Sequence, residues 1–373
     1  MTPDAAPVRV TVLGVRGIPN VQGGVETHAL HLYERLAALG CEVEVIVRTP
    51  FVPRELRTVG PIRLRRLWCP TRPGLEAFVH SVLGVLYAGL HRPDILHIHA
   101  IGPAIVTPIA RLLGLRVVIT HHGPDYDRDK WGAFARLVLR TGEAVGARHS
   151  HARIAISRVI FDLMASKYGR ESDLIPNGVV PPELPEESDQ VRGFGLEPGR
   201  YFLQVSRMVP EKRQLDLIRA FEQARPVGWQ LCLVGGLADD DYSRQVESAA
   251  RDTGVVLTGF QRGPALQQLY AHAGAFVLPS SHEGLPIAML EALSYGLPVL
   301  ASDIAANLEV GLDPCCYFPM GNVRSLAERL ERIAQAPRDE ESRAACRDRI
   351  ARTYDWEQIA KRTEAVYRRV LSR

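Results

Sequence analysis

The chain has 373 residues, 46% hydrophobic and 23% charged, with a formal net charge of +3. That length favours two domains, and the composition is ordinary for a soluble globular protein. No stretch approaches the roughly 18 apolar residues of a membrane span, and the opening MTPDAAPVRV lacks the basic and apolar regions of a signal peptide.

Six scattered cysteines, with no C-x-x-C pair and no zinc-ligand spacing, read as reduced thiols of a cytoplasmic protein. The charge is uneven: residues 1–176 hold 22 Lys+Arg against 15 Asp+Glu, and the remainder 23 against 27. The basic first half is either a surface facing anionic lipid or an acidic acceptor, or simply a solvated basic face.

In chain order, apolar runs alternate with segments of helical period. VRVTVLGV (8–15) predicts a strand, followed by a helix near 24–39, strand CEVEVIV (41–47) and a helix near 75–90. Strands DILHIH (94–99), RVVIT (116–120) and IAIS (154–157) come next. Short buried strands separated by helices indicate parallel α/β architecture. Between about 176 and 199, five prolines and an acidic run interrupt the pattern, as an interdomain connection would. Strands resume at YFLQVS (201–206), WQLCLVG (229–235), VVLTG (255–259), AFVLP (275–279) and PVLAS (298–302). Two doubly wound domains follow, 1–180 and 181–354. Their ligands belong beyond the carboxyl ends of the strands, so the loops there matter most.

The first such loop holds Gly14, Gly17, Gly23 and Gly24, which do not make G-x-G-x-x-G. Gly23-Gly24 stands directly before a helix, where a pair without side chains lets the helix N-terminus approach phosphate, or else forms a simple turn. Glu26 orders this loop or meets an acceptor. His97 and His99 alternate on a strand and share a face, a pattern fitting a hydrogen-bonded buried pair better than a metal site, since no carboxylate cluster accompanies it. His121-His122-Gly123 follows the next strand.

Farther on, Arg207 and Lys212 lie on a strand-to-helix loop and at the helix start, where cations oppose the helix dipole unless an anion is near. A diphosphate is such an anion; solvated surface charge is the plainer reading. In SSHEGLPIAMLEALSYGLPVLAS (280–302), Glu283 and Glu291 bracket a Gly-Leu-Pro step that opens a helix, with Pro286 at the first helical position. A rise of about 1.5 Å per residue separates the two carboxylates by most of 10 Å, so one can reach a sugar and the other a ribose. Read singly, each is also compatible with an ordinary helix-terminal or surface glutamate.

This passage resembles the E-x7-E signature of glycosyltransferase family 4, whose members have the GT-B fold: α/β, two doubly wound Rossmann-like parallel-sheet domains facing a central cleft. The resemblance extends through Pro176-Asn177-Gly178, Gly235-Gly236 and Thr258-Gly259-Phe260 to the final segment. It implies a terminal helix, 355–373, packed back on the first domain, and a retaining sugar transfer from a nucleotide-diphosphate sugar.

In those terms Glu283 contacts sugar hydroxyls, Glu291 binds the ribose, and Gly284, Leu285 and Pro286 line the sugar and phosphate subsite. Arg207 and Lys212 stabilise the leaving diphosphate. His122 is the sugar-contacting histidine, with His121 the fallback, and Gly23, Gly24, Gly259 and Phe260 complete the donor set.

Arg213 stands where the family often has glycine, and Cys41 where it often has histidine. No cofactor and no metal is expected, because the diphosphate already has two cationic partners, and no nucleic-acid motif is present. The acceptor is a glycan or lipid-linked saccharide. Arg54, Arg57, Arg63, Arg65, Arg66 and Arg72, with the segment WGAFARLVLRTGEAVGARH, suggest a basic amphipathic surface for anionic membrane; a packed helix with solvated arginines explains the same letters. Competing readings are a nucleotide-sugar epimerase, a sugar-phosphate synthase and a non-catalytic nucleotide-sugar-binding subunit.

Overall fold

Runs of Val, Ile and Leu form strands where helices can cover both faces of a parallel sheet. The computed structural model describes residues 6–72, 74–128, 132–336 and 339–373, and this happens twice in them. One unit is Met1–Gly178 with Trp356–Arg373, the other Val179–Asp355.

The first unit runs β1 (Arg9–Leu13), α1 (Gly24–Ala38), β2 (Glu42–Arg48), β3 (Thr58–Val59), β4 (Ile62–Leu67), α2 (Leu75–His91), β5 (Ile95–His99), α3 (Thr107–Leu112), β6 (Val117–His121), α4 (Ala133–His149), β7 (Ala152–Ala155), α5 (Arg158–Tyr168) and β8 (Asp173–Leu174). Its sheet has the order β3-β4-β2-β1-β5-β6-β7-β8. Neighbours are parallel except β3 with β4. The order reverses between β1 and β5, so the loops after β1, β5 and β6 surround the switch point.

Strand β4, IRLRRL, is not visible as a strand in the sequence, where its arginines read as a basic face. Its Arg66 Nε donates to the Val52 carbonyl at 2.9 Å, and Arg65 lies over the Tyr87 ring at 5.1 Å. The strand predicted over 154–157 ends at Ala155. Ser157 instead caps α5, its side chain accepting from the Ile160 N–H.

The second unit runs α6 (Asp189–Gly193), β9 (Tyr201–Val205), α7 (Gln214–Ala224), β10 (Gln230–Val234), α8 (Asp241–Thr253), β11 (Val256–Gly259), α9 (Gly263–Ala271), β12 (Ala275–Leu278), α10 (Ile287–Ser294), β13 (Val299–Ser302), α11 (Ala305–Leu308), β14 (Tyr317–Phe318), α12 (Val323–Gln335) and α13 (Glu340–Thr353). All six strands are parallel in the order β11-β10-β9-β12-β13-β14. The order reverses between β9 and β12. Phe202, Leu231, Leu233, Val277 and Leu300 fill the core, with Trp229 stacked on Phe202 at 4.5 Å.

The last helix, α14 (Trp356–Leu371), belongs to the first unit: Trp356, Ile359, Val366 and Tyr367 join Val10, Leu32 and Val45 in its core. A Cβ on Gly178 would stand 2.6 Å from the Trp356 ring, so that position needs glycine. Among the described residues no helix is long and apolar enough to cross a membrane.

Candidate functional site

The second unit gathers its charges at its switch point. After β9 the chain makes a 3-10 turn, Pro210–Lys212, and α7 starts only at Gln214. Lys212 therefore precedes the helix rather than opening it. The cause is Arg213, which adopts the left-handed conformation, φ 54. A side chain is disfavoured there and glycine is not, which gives a backbone reason for the glycine that the resemblance led one to expect at this position. The extra charge is taken up locally, Arg213 Nε donating to Asp216 Oδ2 at 2.6 Å.

After β12 comes Glu283-Gly284-Leu285-Pro286. Pro286 is the N-cap of α10 and not its first residue: its carbonyl accepts from the Met289 and Leu290 N–H groups, both at 3.1 Å.

The two loops are joined. The Ser281 N–H donates to the Glu211 carbonyl at 2.9 Å, and Lys212 Nζ forms an ion pair with Glu283 Oε1, both side chains being largely buried. Two glutamines that sequence reasoning missed hold the first loop. Gln204 Nε2 donates to the Lys212 carbonyl at 2.9 Å, and Gln214 Nε2 donates to the Arg207 carbonyl and Ser206 Oγ, each at 2.8 Å. A buried glutamine inside a strand was the available signal, since such a group must find a partner.

Glu291 lies in the second turn of α10, and Tyr270 Oη donates to its Oε2 at 2.9 Å. Burial outweighs that donation and pushes the carboxyl up to about 7. Gly259 ends β11 with φ 70, and Phe260 after it is exposed. That edge strand is two places from β9, roughly 10 Å at the usual strand spacing, so this pair stands apart from the Lys212–Glu283 pair.

In the first unit, Gly14 follows β1 at φ 108, where a Cβ would come within 2.2 Å of the His99 carbonyl. Gly23 caps α1, and a Cβ there would meet Glu26 Oε2 at 2.0 Å. Glu26 is spent on ordering this loop: its Oε1 accepts from the Arg16 backbone N–H at 3.2 Å and from Arg16 Nε at 3.0 Å. Gly24, the first residue of α1, is exposed.

The predicted His97/His99 pair is buried and hydrogen-bonded, with ring centroids 4.3 Å apart. Of the two histidines after β6, His121 is committed to structure. Its Nδ1 accepts from the Gly123 N–H at 3.1 Å, and its Nε2–H donates to Glu143 Oε1 at 2.9 Å. His122 is part-buried, with Nε2 2.9 Å from His99 Nδ1.

Glu143, on α4, was missed in sequence because it reads as one charge of an amphipathic helix. It is buried and also accepts from Tyr126 Oη at 3.1 Å, Lys167 Nζ at 2.5 Å and Tyr168 Oη at 2.5 Å. Burial alone would raise its pKa; the donors, His121 foremost, outweigh it and hold the carboxyl at about 2. The triplet Asp125-Tyr126-Asp127, also passed over, forms a 3-10 turn in which Asp125 pairs with Arg128 at 2.7 Å.

His28 joins this region from α1, and ligand nitrogens of His28, His99 and His122 lie within 4.8 Å of one another. Burial lowers all three pKa values, His28 to about 4 and the other two well below the usual histidine range.

The predicted basic face is mixed. Arg140 lies over the Tyr126 ring and Arg148 over Tyr168, while Phe134 and Leu137 on the same helix are exposed. Trp131, at the start of that segment, lies outside the described residues.

Residues 22–182 match the family model described as Glycosyltransferase Family 4, and residues 199–336 the one described as Glycosyl transferases group 1. The chain belongs to glycosyltransferase family 4. Among relatives of this family-4 chain, the 2-deoxystreptamine N-acetyl-D-glucosaminyltransferase of Streptomyces fradiae is 26% identical, covering 82% of this chain and 80% of that one.

Among solved structures, sucrose-phosphate synthase from Thermosynechococcus elongatus superposes with a TM-score of 0.83 at 22% identity, covering 98% of this chain and 99% of that one. HepE of Anabaena, in complex with UDP-glucose, gives 0.76 at 18% identity, covering 96% and 98%. The fold is GT-B.

Proposed function

We propose that this family-4 chain is a retaining glycosyltransferase. It moves a sugar from a nucleotide-diphosphate sugar to a hydroxyl of a glycan or lipid-linked saccharide, in the synthesis of cell-surface polysaccharide or glycolipid. The observation that carries this reading is the Lys212–Glu283 ion pair on the two loops of the second sheet's switch point. A diphosphate is a strong partner for Lys212, and sugar hydroxyls are donors suited to Glu283, so donor binding exchanges one pair for two.

Arg207 shares the diphosphate charge, Glu291 takes the ribose hydroxyls, and Gly284, Leu285 and Pro286 line the sugar. In the first unit Gly23, Gly24 and His122 are the candidate ligand-contacting groups, and in the second Gly259 and Phe260 lie toward the nucleotide. The bond from the anomeric carbon to the phosphate oxygen breaks on the face where the acceptor oxygen bonds. The acceptor's proton passes to the departing phosphate oxygen, whose charge Lys212 and Arg207 stabilise. With those cations in place the transfer proceeds without a metal.

The N-acetylglucosaminyl transfer named for the Streptomyces relative supports sugar transfer, and the UDP-glucose bound to HepE supports a nucleotide-sugar donor. The enzyme works in the cytoplasm, resting on the anionic inner face of the membrane through Phe134 and Leu137 beside Arg136 and Arg140. Absence of co-sedimentation with anionic vesicles at low salt would refute that placement.

A library of nucleotide sugars assayed for nucleotide release tests the activity itself. Release that requires a saccharide acceptor is the expected result. Sugar isomerisation without transfer would make the protein an epimerase, and no turnover with any donor would make it a binding subunit.

A further inference from the structure

The carboxyl edge of the first sheet carries a second group of charges, which donor binding does not use. The Arg48 N–H donates to the Arg16 carbonyl at 2.9 Å, and Arg48 is the register partner of Leu67, the last residue of β4. Arg16 after β1, Arg48 at the end of β2 and Trp68 after β4 therefore leave that edge side by side.

Two ion pairs stand there, Arg16 Nε with Glu26 Oε1 at 3.0 Å and Arg48 Nη1 with Glu76 Oε1 at 2.8 Å. Glu26 and Arg48 are buried, whereas the Arg16 and Glu76 side chains stay 27% and 22% exposed. Burial lowers the Arg16 pKa, and Glu26 and then Glu76 more than offset it; burial keeps that of Arg48 low despite Glu76. The two guanidiniums and two carboxylates thus act as one cluster, and their charges cancel. Arg48 Nε is buried without a hydrogen-bond partner among the described residues, so one donor is unspent.

Trp68 is 61% exposed, although an indole gains much from burial. Cys69, next in the chain, is buried, and its thiol is pushed up by burial and by Glu76, with Arg48 opposing. The Trp68 backbone therefore lies beside that ion pair. Phe51, on the loop after β2, is half-buried, with the Arg16 guanidinium carbon 5.7 Å from its ring centroid.

A pyranose matches this mixture. One of its faces presents C–H groups that pack on an indole, and its rim carries hydroxyls that both donate and accept. Guanidinium groups only donate and carboxylates only accept, so a ligand bonded to both must do both. An ionised acidic group only accepts, and its charge would stand against Glu26 and Glu76.

We propose that Trp68, with Arg16, Arg48 and Glu76, forms a subsite for a neutral saccharide. On the transfer reading, on which this role rests, that saccharide is the acceptor: its ring lies on Trp68 and its hydroxyls bond Glu76 and Arg16. Trp68 is then a specificity-determining residue, and the basic balance of the first half does not select the acceptor. A lipid surface is the competing occupant, because Leu75 and Phe78 at the start of α2 are also exposed. That helix carries no lysine or arginine, which an anionic surface would favour.

The chain holds four tryptophans, so the full-length protein labelled with 5-fluorotryptophan gives four ¹⁹F signals, and Trp68→Phe identifies that of Trp68. The probes are methyl glycosides and disaccharides of neutral hexoses and N-acetylhexosamines, methyl glucuronide, glucose 6-phosphate, and vesicles of anionic phospholipid. A saturable shift of the Trp68 signal with a neutral saccharide is expected, weakened about tenfold in Glu76→Gln.

No shift with any neutral saccharide would overturn the proposal, as would a stronger response to the two acidic sugars, a response to vesicles alone, or undiminished binding by Glu76→Gln. The wild-type titration decides even if Glu76→Gln fails to fold. No nucleotide sugar is added, so a saccharide shift without turnover of any donor would sink the transfer reading alone, and turnover without the shift would sink this subsite alone.

Discussion

In the second unit Glu291 receives one phenol, and burial holds its carboxyl up at about 7; in the first unit Glu143 receives His121, Tyr126, Lys167 and Tyr168 and is held at about 2. Both side chains lie on helices near their sheet's switch point. What separates them is the number of donors, which decides whether desolvation or hydrogen bonding wins. A carboxylate with one donor has acceptor capacity left for a ligand. One with four is finished structure, and its work is to hold a neighbour, here His121 beside His122.

Substitutions at four positions bear on that contrast, from the largest expected effect to the smallest. Lys212→Ala removes the cation paired with Glu283 and is expected to lower turnover about 10²–10³-fold, as loss of one preorganised charge-stabilising group does. Undiminished turnover would remove Lys212 from the chemistry.

Glu143→Ala leaves His121, Lys167 and two phenols without their acceptor and is expected to destabilise the protein by about 3 kcal/mol in denaturant titrations. Because its folded pKa is depressed, the stability Glu143 supplies is present above the ordinary carboxylate range. It is lost as pH falls from about 4.5 toward 2. Glu143→Gln should flatten the melting temperature across that window.

Glu291 has the opposite sign. Its folded pKa is raised, so wild-type stability falls as pH rises from about 4.5 to about 7. Glu291→Gln should therefore melt a few degrees above wild type at pH 8 and level with it near pH 4.5. Equal melting at both pH values would show that Glu291 is not desolvated.

Arg213→Gly relieves the left-handed backbone but loses the Asp216 pair and loosens the unfolded chain, opposing terms that should leave stability within about 1 kcal/mol of wild type. A larger loss would mean that the Arg213–Asp216 pair holds the loop in shape.

The contrast also explains what could be read in the letters. Glu283, Lys212 and the Gly-Leu-Pro step lie on loops directly after strands, where local punctuation and charge are legible, and the alternation of strands and helices was legible throughout. Of the histidine network, His97/His99 on one face and His121-His122 after the next strand were legible. Its other members, Tyr33 on α1, Glu143 on α4 and Tyr367 on α14, come from distant helices, and each reads locally as an ordinary member of an amphipathic pattern.

Strand β4 was hidden by the arginines on it. The late start of α7 depended on Arg213 taking a conformation its residue type disfavours, which sequence rules do not anticipate. At Pro286 the miss was one position, N-cap instead of first helical residue, within the usual uncertainty of helix ends.

The central claim is retaining transfer from a nucleotide-sugar donor held by Lys212 and Glu283 on their loops and Glu291 on α10. NMR of the anomeric proton in the product of the first donor and acceptor pair that turns over tests it most directly. The account predicts the anomeric configuration of the donor; an inverted product would contradict it.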